Sequence, residues 1–157
     1  MLMLTKMSLI FHLLVMTLIP SGPDCYSASS FQVLPPAIID VFDSLGDDNN
    51  HFLSEQEWDY FRIMFNLEEE HYNLMDKRVV FLTGSLGKSI SSKRVFFNAE
   101  RHRYYAGEAP LPKVLYLFDD ISAKDIGVDA VIVYYSKAIP SRKQVIKVIK
   151  SHVKNND

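Results

Sequence analysis

The sequence predicts an all-α protein made of helix–loop–helix repeats that follow a cleavable N-terminal signal peptide. Three observations support this fold class. The first residues have the charge and hydropathy order of a secretory signal, later segments carry apolar residues at helical spacing, and a short motif recurs three times at a nearly constant interval. The mature chain, residues 28–157, has the length of one domain.

The segment Met1–Ser27 has the parts of a signal peptide. Lys6 supplies a positive charge, residues 9–19 form an apolar run, and the small residues Cys25 and Ser27 stand at the two key positions before the cleavage site. The run is shorter than the roughly 20 residues that a transmembrane helix requires, so an uncleaved anchor is the less favoured alternative. We therefore expect a secreted protein, or one in the lumen of the secretory pathway. Cleavage near Ser27 would remove Cys25, the one cysteine of the sequence, and leave no disulfide.

Charge divides the chain into two unlike halves. Residues 30–76 contain eleven acidic residues and one basic residue, whereas residues 77–157 contain fifteen basic and seven acidic residues. Such asymmetry is typical of an acidic ion-binding half joined to a basic interaction half. Mutual attraction of the two halves within one fold would explain it equally well.

Several segments of the mature chain are predicted to be helices. Apolar residues recur at helical spacing in residues 37–45. Ser54 and Glu57 have the spacing of a capping box, which predicts that a helix begins at this point. Residues 93–105 and the basic segment 142–154 are also predicted to be helical. The run 128–135 is ambiguous, because a buried strand and a buried helix look alike over so few residues.

A repeated motif organises these elements. It begins with an aliphatic residue and has an apolar residue five positions later, and its copies begin at Leu53, Ile90 and Ile126, which are 37 and then 36 residues apart. A near-constant period indicates repeated structural units. The flanking apolar pattern predicts three units, residues 38–65, 75–102 and 111–138, followed by a basic C-terminal helix, residues 141–154.

On these residues the sequence resembles the EF-hand superfamily, with a first loop at residues 46–57. The resemblance implies helix–loop–helix hands and, in the first loop, a weak calcium site. The implied ligands are Asp48, Asn50, the Phe52 carbonyl, Ser54 and Glu57. Gly46 offers no side-chain oxygen, and His51 occupies a turn position that favours glycine, so both weaken the match. The loops 83–94 and 119–130 lack a closing carboxylate and are implied to be structural only.

The function that follows is a secreted calcium-binding or calcium-stabilised structural or interaction protein. We expect no enzymatic activity, since no nucleophile or zinc-protease motif is present. We also expect no nucleic-acid partner.

Two alternatives remain open. One is a small α/β domain, an enzyme or a nucleotide binder, in which the apolar runs 79–82, 114–118 and 128–135 form parallel strands. Residues 84–89 resemble a phosphate-binding loop, although that motif needs four residues between its glycines and here has two. The other is an interaction protein whose basic C-terminal helix binds a protein or an anionic surface; the same helix could equally pack on the core with its lysines in water.

Overall fold

The computed structural model describes residues 25–28, 33–67, 73–83, 89–118, 126–135 and 138–154. These residues form an α/β domain with a five-stranded mixed sheet and four α-helices. In chain order the elements are β1 (Cys25–Ser27), α1 (Pro36–Val41), a 3-10 turn (Phe42–Ser44), α2 (Glu55–Met64), β2 (Val79–Thr83), β3 (Ser89–Ser91), α3 (Lys93–Tyr105), β4 (Lys113–Leu117), β5 (Ala130–Tyr134) and α4 (Arg142–Lys154).

The sheet has the strand order β1-β4-β5-β2-β3. Strands β2 and β5 are parallel neighbours, and the other three pairs are antiparallel. The hairpin β2–β3 leads into α3, and the pair β4–β5 leads into α4. The all-α fold class and the EF-hand resemblance are therefore wrong.

The reason for this error lies in the three central strands. Every residue of β4 and β5 is buried, and so are the first four of β2. A strand covered on both faces is apolar throughout and satisfies a helical spacing as easily as a strand spacing. This is why Val114, Leu115 and Phe118 fit the helix pattern of the third predicted hand although they lie in or beside β4. The units 75–102 and 111–138 are not hands, because they contain the strands.

The alternation of side chains along the strands produces two cores, one on each side of the sheet. In β5, Ile132 and Tyr134 face the core beneath α1, α2 and α3, whereas Val131 and Val133 face the core beneath α4. Helix α4 contributes Val145 to that second core. The predicted C-terminal helix is thus confirmed as a helix, and its apolar face packs on the sheet.

The first predicted unit, residues 38–65, does form a helix, a loop and a second helix. The capping box is confirmed: the Ser54 hydroxyl accepts a hydrogen bond from the Glu57 backbone N–H, and the Glu57 carboxylate accepts one from the Ser54 N–H. Both contacts are local, which is why the sequence alone could predict them.

Parts of the other predictions lie outside the described residues. These parts are most of the signal peptide, most of the glycine-rich loop 84–89 and most of the third loop 119–130. Cys25–Ser27, placed in the signal peptide by its sequence, is strand β1 and pairs with Val114–Tyr116 of β4. Within the described part of the chain, no helix is long and apolar enough to cross a membrane.

Candidate functional site

The residues predicted to hold calcium surround an ammonium group of the protein itself. The Lys93 Nζ atom donates hydrogen bonds to the Glu57 carboxylate at 2.7 Å and to the Phe52 carbonyl at 2.8 Å. It also forms an ion pair with Asp48 and lies 3.5 Å from the Asn50 amide oxygen. Four of the five predicted ligands therefore do converge on one cation, and that cation is the side chain of a lysine. We call this group the lysine cage.

Local structure explains how Lys93 reaches the loop. Ser92 caps helix α3 by accepting a hydrogen bond from the Val95 N–H, and Lys93 is the first residue of that helix. Its side chain is completely buried, with 0% exposure. A charge in that position requires opposite charge and hydrogen-bond acceptors, because an unpaired buried ion is costly. The acidic loop supplies both.

The remaining loop residues act differently from the prediction. Ser54 caps α2, as described above, and its hydroxyl is used there. Gly46 donates its backbone N–H to Glu57 Oε1 at 2.7 Å. It has a φ of +83°, and a Cβ at this position would lie 2.9 Å from a ring carbon of Phe97, so glycine is required here. The left-handed non-glycine residue of the loop is Asn49, with a φ of 48°, and not His51.

The prediction of a calcium site is therefore wrong. The fold is not an EF-hand, and the position at the centre of the ligands is filled by a positive charge from α3. Among the described residues there is also no group of three His, Cys, Asp or Glu side chains suited to a metal. Desolvation acts to raise the pKa of Asp48, but the hydrogen bond and charge of Lys93, together with contacts from Asn50, lower it below its ordinary value.

A second buried polar group, which the sequence analysis missed, lies two helical turns further along α3. Glu100 Oε2 accepts hydrogen bonds from the Tyr60 hydroxyl and, at 3.0 Å, from Lys113 Nζ. Glu100 Oε1 accepts one from the Tyr134 hydroxyl at 2.7 Å. These four residues are nearly or completely buried and join α2, α3, β4 and β5. We call them the Glu100 network.

Strand register and helix spacing assemble this network. Lys113 and Tyr134 are cross-strand partners in the β4–β5 pair, and both face the core that contains α3. Lys93, Phe96, Phe97 and Glu100 form the buried stripe of α3, with the i, i+3, i+4, i+7 spacing of one helix face. Two charged residues in an otherwise aromatic stripe were the signal in the sequence that could have revealed both polar groups.

Burial determines the protonation of the network. It raises the pKa of Tyr60 and Tyr134 well above the ordinary tyrosine value, and the charge of Glu100 raises both further. Both hydroxyls therefore keep their protons and act as donors at neutral pH. Burial lowers the pKa of Lys113, and the negative charge of Glu100 partly opposes this shift.

An apolar cavity of about 360 Å³ lies beside the network. Glu100 and Tyr60 line it together with side chains from α1, α2 and the segment after α3. The other lining residues are Val33, Leu34, Ile39, Phe42, Met64, Tyr104, Gly107, Glu108, Ala109 and Pro110. Lys113 and Tyr134 do not line the cavity and support Glu100 from the side of the sheet.

The fold and this site define a small α/β domain with an apolar cavity next to a buried carboxylate. Residues 49–151 match the family described as "Domain of unknown function (DUF8192)". Because the match covers more than half of the 157-residue chain, the chain belongs to this family. No curated protein and no solved structure matches the chain. The matched residues include Lys93 of the lysine cage and Glu100 of the Glu100 network. Helix α1, which forms one wall of the cavity, precedes the matched residues.

Proposed function

We propose that this protein is a secreted binding domain for a small, mainly apolar molecule that occupies the cavity beside Glu100. The observation that carries the proposal is the cavity itself. Its volume of about 360 Å³ falls in the usual range of ligand pockets. It also has their usual composition, which is an apolar lining with a few convergent polar groups and perturbed pKa values. Secretion rests on the order of charge and hydropathy in residues 1–27.

The polar chemistry of the site favours binding over catalysis. A nucleophile or general base needs a reactive atom directed at a substrate, with a pKa near the working pH. In the Glu100 network, both tyrosine hydroxyls and the Lys113 ammonium group donate hydrogen bonds to the Glu100 carboxylate. The raised pKa values of Tyr60 and Tyr134 keep both hydroxyls neutral. Such a network supports a fixed, shaped surface.

Thermal-shift and NMR titration against a panel of small alcohols, amines, amides, esters and acids with apolar bodies would test the proposal. A ligand at one hundred times its dissociation constant stabilises the folded state by about 2.7 kcal/mol, which such a panel detects easily. The site is assigned by two tryptophan substitutions. Ala109 is half-buried and lines the cavity, so Ala109→Trp should fill it and abolish binding.

The matched control is Ala106→Trp, which adds the same ring at an exposed position outside the cavity lining. This variant should bind as the wild type does. The proposal fails if no member of the panel binds, or if Ala109→Trp binds as well as Ala106→Trp.

A second candidate function is electrostatic association with an anionic lipid surface through α4. Lys143, Lys147 and Lys150 are exposed, while Val145 and Ile149 of the same helix are buried against the sheet. The apolar face is thus occupied, and this binding would rely on charge alone, at about 1 kcal/mol for each lysine close to the surface.

Deleting α4 would expose the core, so substitution is the better test of this second function. The triple variant Lys143→Gln, Lys147→Gln and Lys150→Gln should lose binding to vesicles that contain anionic lipid. Wild-type binding should weaken as salt is added. Equal binding to neutral and anionic vesicles would rule this function out.

A further inference from the structure

We infer that the ligand of the cavity carries a hydrogen-bond donor, a hydroxyl or an amine, at one end of an apolar body, and that ligands with a carboxylate at that end are rejected. This inference rests on the proposed function, because it assigns the chemistry of the same cavity. Its observation is the direction of the hydrogen bonds around Glu100.

The two polar side chains at the buried end of the cavity, Glu100 and Tyr60, offer hydrogen-bond acceptors. A carboxylate has about four acceptor positions on its two oxygens. In Glu100 three are used, by Tyr60, Tyr134 and Lys113, which leaves one position on Oε1. The Tyr60 hydroxyl has given its hydrogen to Glu100, so its oxygen offers lone pairs only. Of these four residues, Glu100 and Tyr60 line the cavity.

Several donors near the mouth of the cavity are already engaged. The backbone N–H groups of Gly107 and Glu108 donate to carbonyls of α3. The Arg103 side chain donates to the Ala109 carbonyl at 2.6 Å and forms an ion pair with Glu108 at 3.1 Å. Pro110 has no N–H. The Glu108 carboxylate adds further acceptors to the cavity lining, with half of its side chain exposed.

Tyr104 is the one lining side chain whose hydroxyl could act in either direction. It is 39% exposed, so it belongs to the mouth and not to the inner end. A ligand carboxylate at the inner end would therefore set lone pairs against lone pairs, and negative charge against Glu100. An alcohol or an ammonium group would instead give a hydrogen to Glu100 or Tyr60. Buried polar groups left without partners are what produce strong discrimination of this kind.

The test uses three probes with the same six-carbon body, 1-hexanol, hexylamine and hexanoate, titrated by NMR into the purified full chain at neutral pH. We expect 1-hexanol, hexylamine or both to bind at least tenfold more tightly than hexanoate. The alcohol and amine arms distinguish a neutral donor from a charged one. Each titration is repeated with Ala109→Trp to establish that the measured signal comes from the cavity.

The Glu100→Gln variant assigns the discrimination to one residue. An amide offers both a donor and an acceptor and carries no charge, so the preference over hexanoate should shrink at least threefold. If this variant does not fold, as judged by circular dichroism, the wild-type series still decides. Equal binding of all three probes, or tightest binding of hexanoate, overturns the inference and leaves the cavity as a binding site. If no probe of this series or of the wider panel binds, the proposed function fails and the inference with it.

Discussion

The substitution Lys93→Met tests whether the lysine cage holds the acidic loop to α3. Methionine keeps most of the apolar length of the side chain and removes the ammonium group. The Lys93 Nζ atom lies 2.7 Å from the Glu57 carboxylate and 2.8 Å from the Phe52 carbonyl, and all of its side chain is buried. Loss of the ammonium group leaves Glu57, a residue that is only 2% exposed, without its charged partner.

The expected magnitude follows from the partners that remain. Removing one member of a buried ion pair costs about 3–5 kcal/mol. Glu57 would keep two backbone donors, the N–H groups of Gly46 and Ser54, which offset part of the loss. We therefore expect the free energy of unfolding to fall by about 3 kcal/mol, the lower end of that range. Urea unfolding followed by circular dichroism measures this change.

Two further variants show whether the loss comes from the ion pair. Arg94→Met removes a neighbouring positive charge on the same helical turn, whose exposed side chain donates one hydrogen bond to the Asp47 carbonyl, and it should cost no more than about 1 kcal/mol. Glu57→Gln combined with Lys93→Met removes both buried charges, so the double variant should be less destabilised than the sum of the single variants by about 1–3 kcal/mol. Additive losses, or equal losses in Lys93→Met and Arg94→Met, would refute the reasoning.

Three other outcomes are expected. Because the pKa values of Tyr60 and Tyr134 are raised in the folded state, that state binds more protons than the unfolded state above about pH 10. The stability that these two tyrosines contribute is therefore present below that pH and is lost as pH rises. The lowered pKa of Lys113 changes stability in the opposite direction, but it involves a single group. Tyrosinate absorbance should accordingly show that Tyr60 and Tyr134 ionise only as the protein unfolds, in addition to Tyr116, whose pKa burial raises to about 12. A titration in which all tyrosines ionise near pH 10 in the folded state would disprove it. In acid, the lowered pKa of Asp48 gives a contribution that is present above about pH 4 and is lost as pH falls through the lowered value, so Asp48→Asn should flatten the acid limb of a stability curve, and an unchanged limb would count against the cage. Finally, strand β1 pairs with β4, so we expect the signal peptide to be cleaved before Cys25, which keeps the strand in the mature protein. N-terminal sequencing of the secreted protein locates the cleavage site, and a mature chain that begins after β1 would contradict this prediction.

The elements that the sequence could predict are those set by local contacts. The capping box of Ser54 and Glu57 involves residues three positions apart, and α4 shows a clear amphipathic pattern in which Val145 and Ile149 face the core. The central strands could not be distinguished in this way, since burial on both faces removes any period. The α/β alternative placed strands in the same three apolar runs but expected them to be parallel, whereas only β2 and β5 are parallel neighbours.

The acidic loop shows most clearly where the sequence becomes insufficient. The calcium prediction grouped Asp48, Asn50, Phe52 and Glu57 as oxygen ligands of one metal ion, and in the structure their oxygens surround a positive charge that Lys93 supplies. Nothing within the loop specifies whether that charge is a metal or an ammonium group. The answer lies 36 residues after Glu57, at Lys93, and depends on how α3 docks on the loop. This separation is one residue shorter than the interval between the first two copies of the repeat, so the segment 83–94 that was interpreted as a second, structural loop in fact contains the lysine that neutralises the first loop.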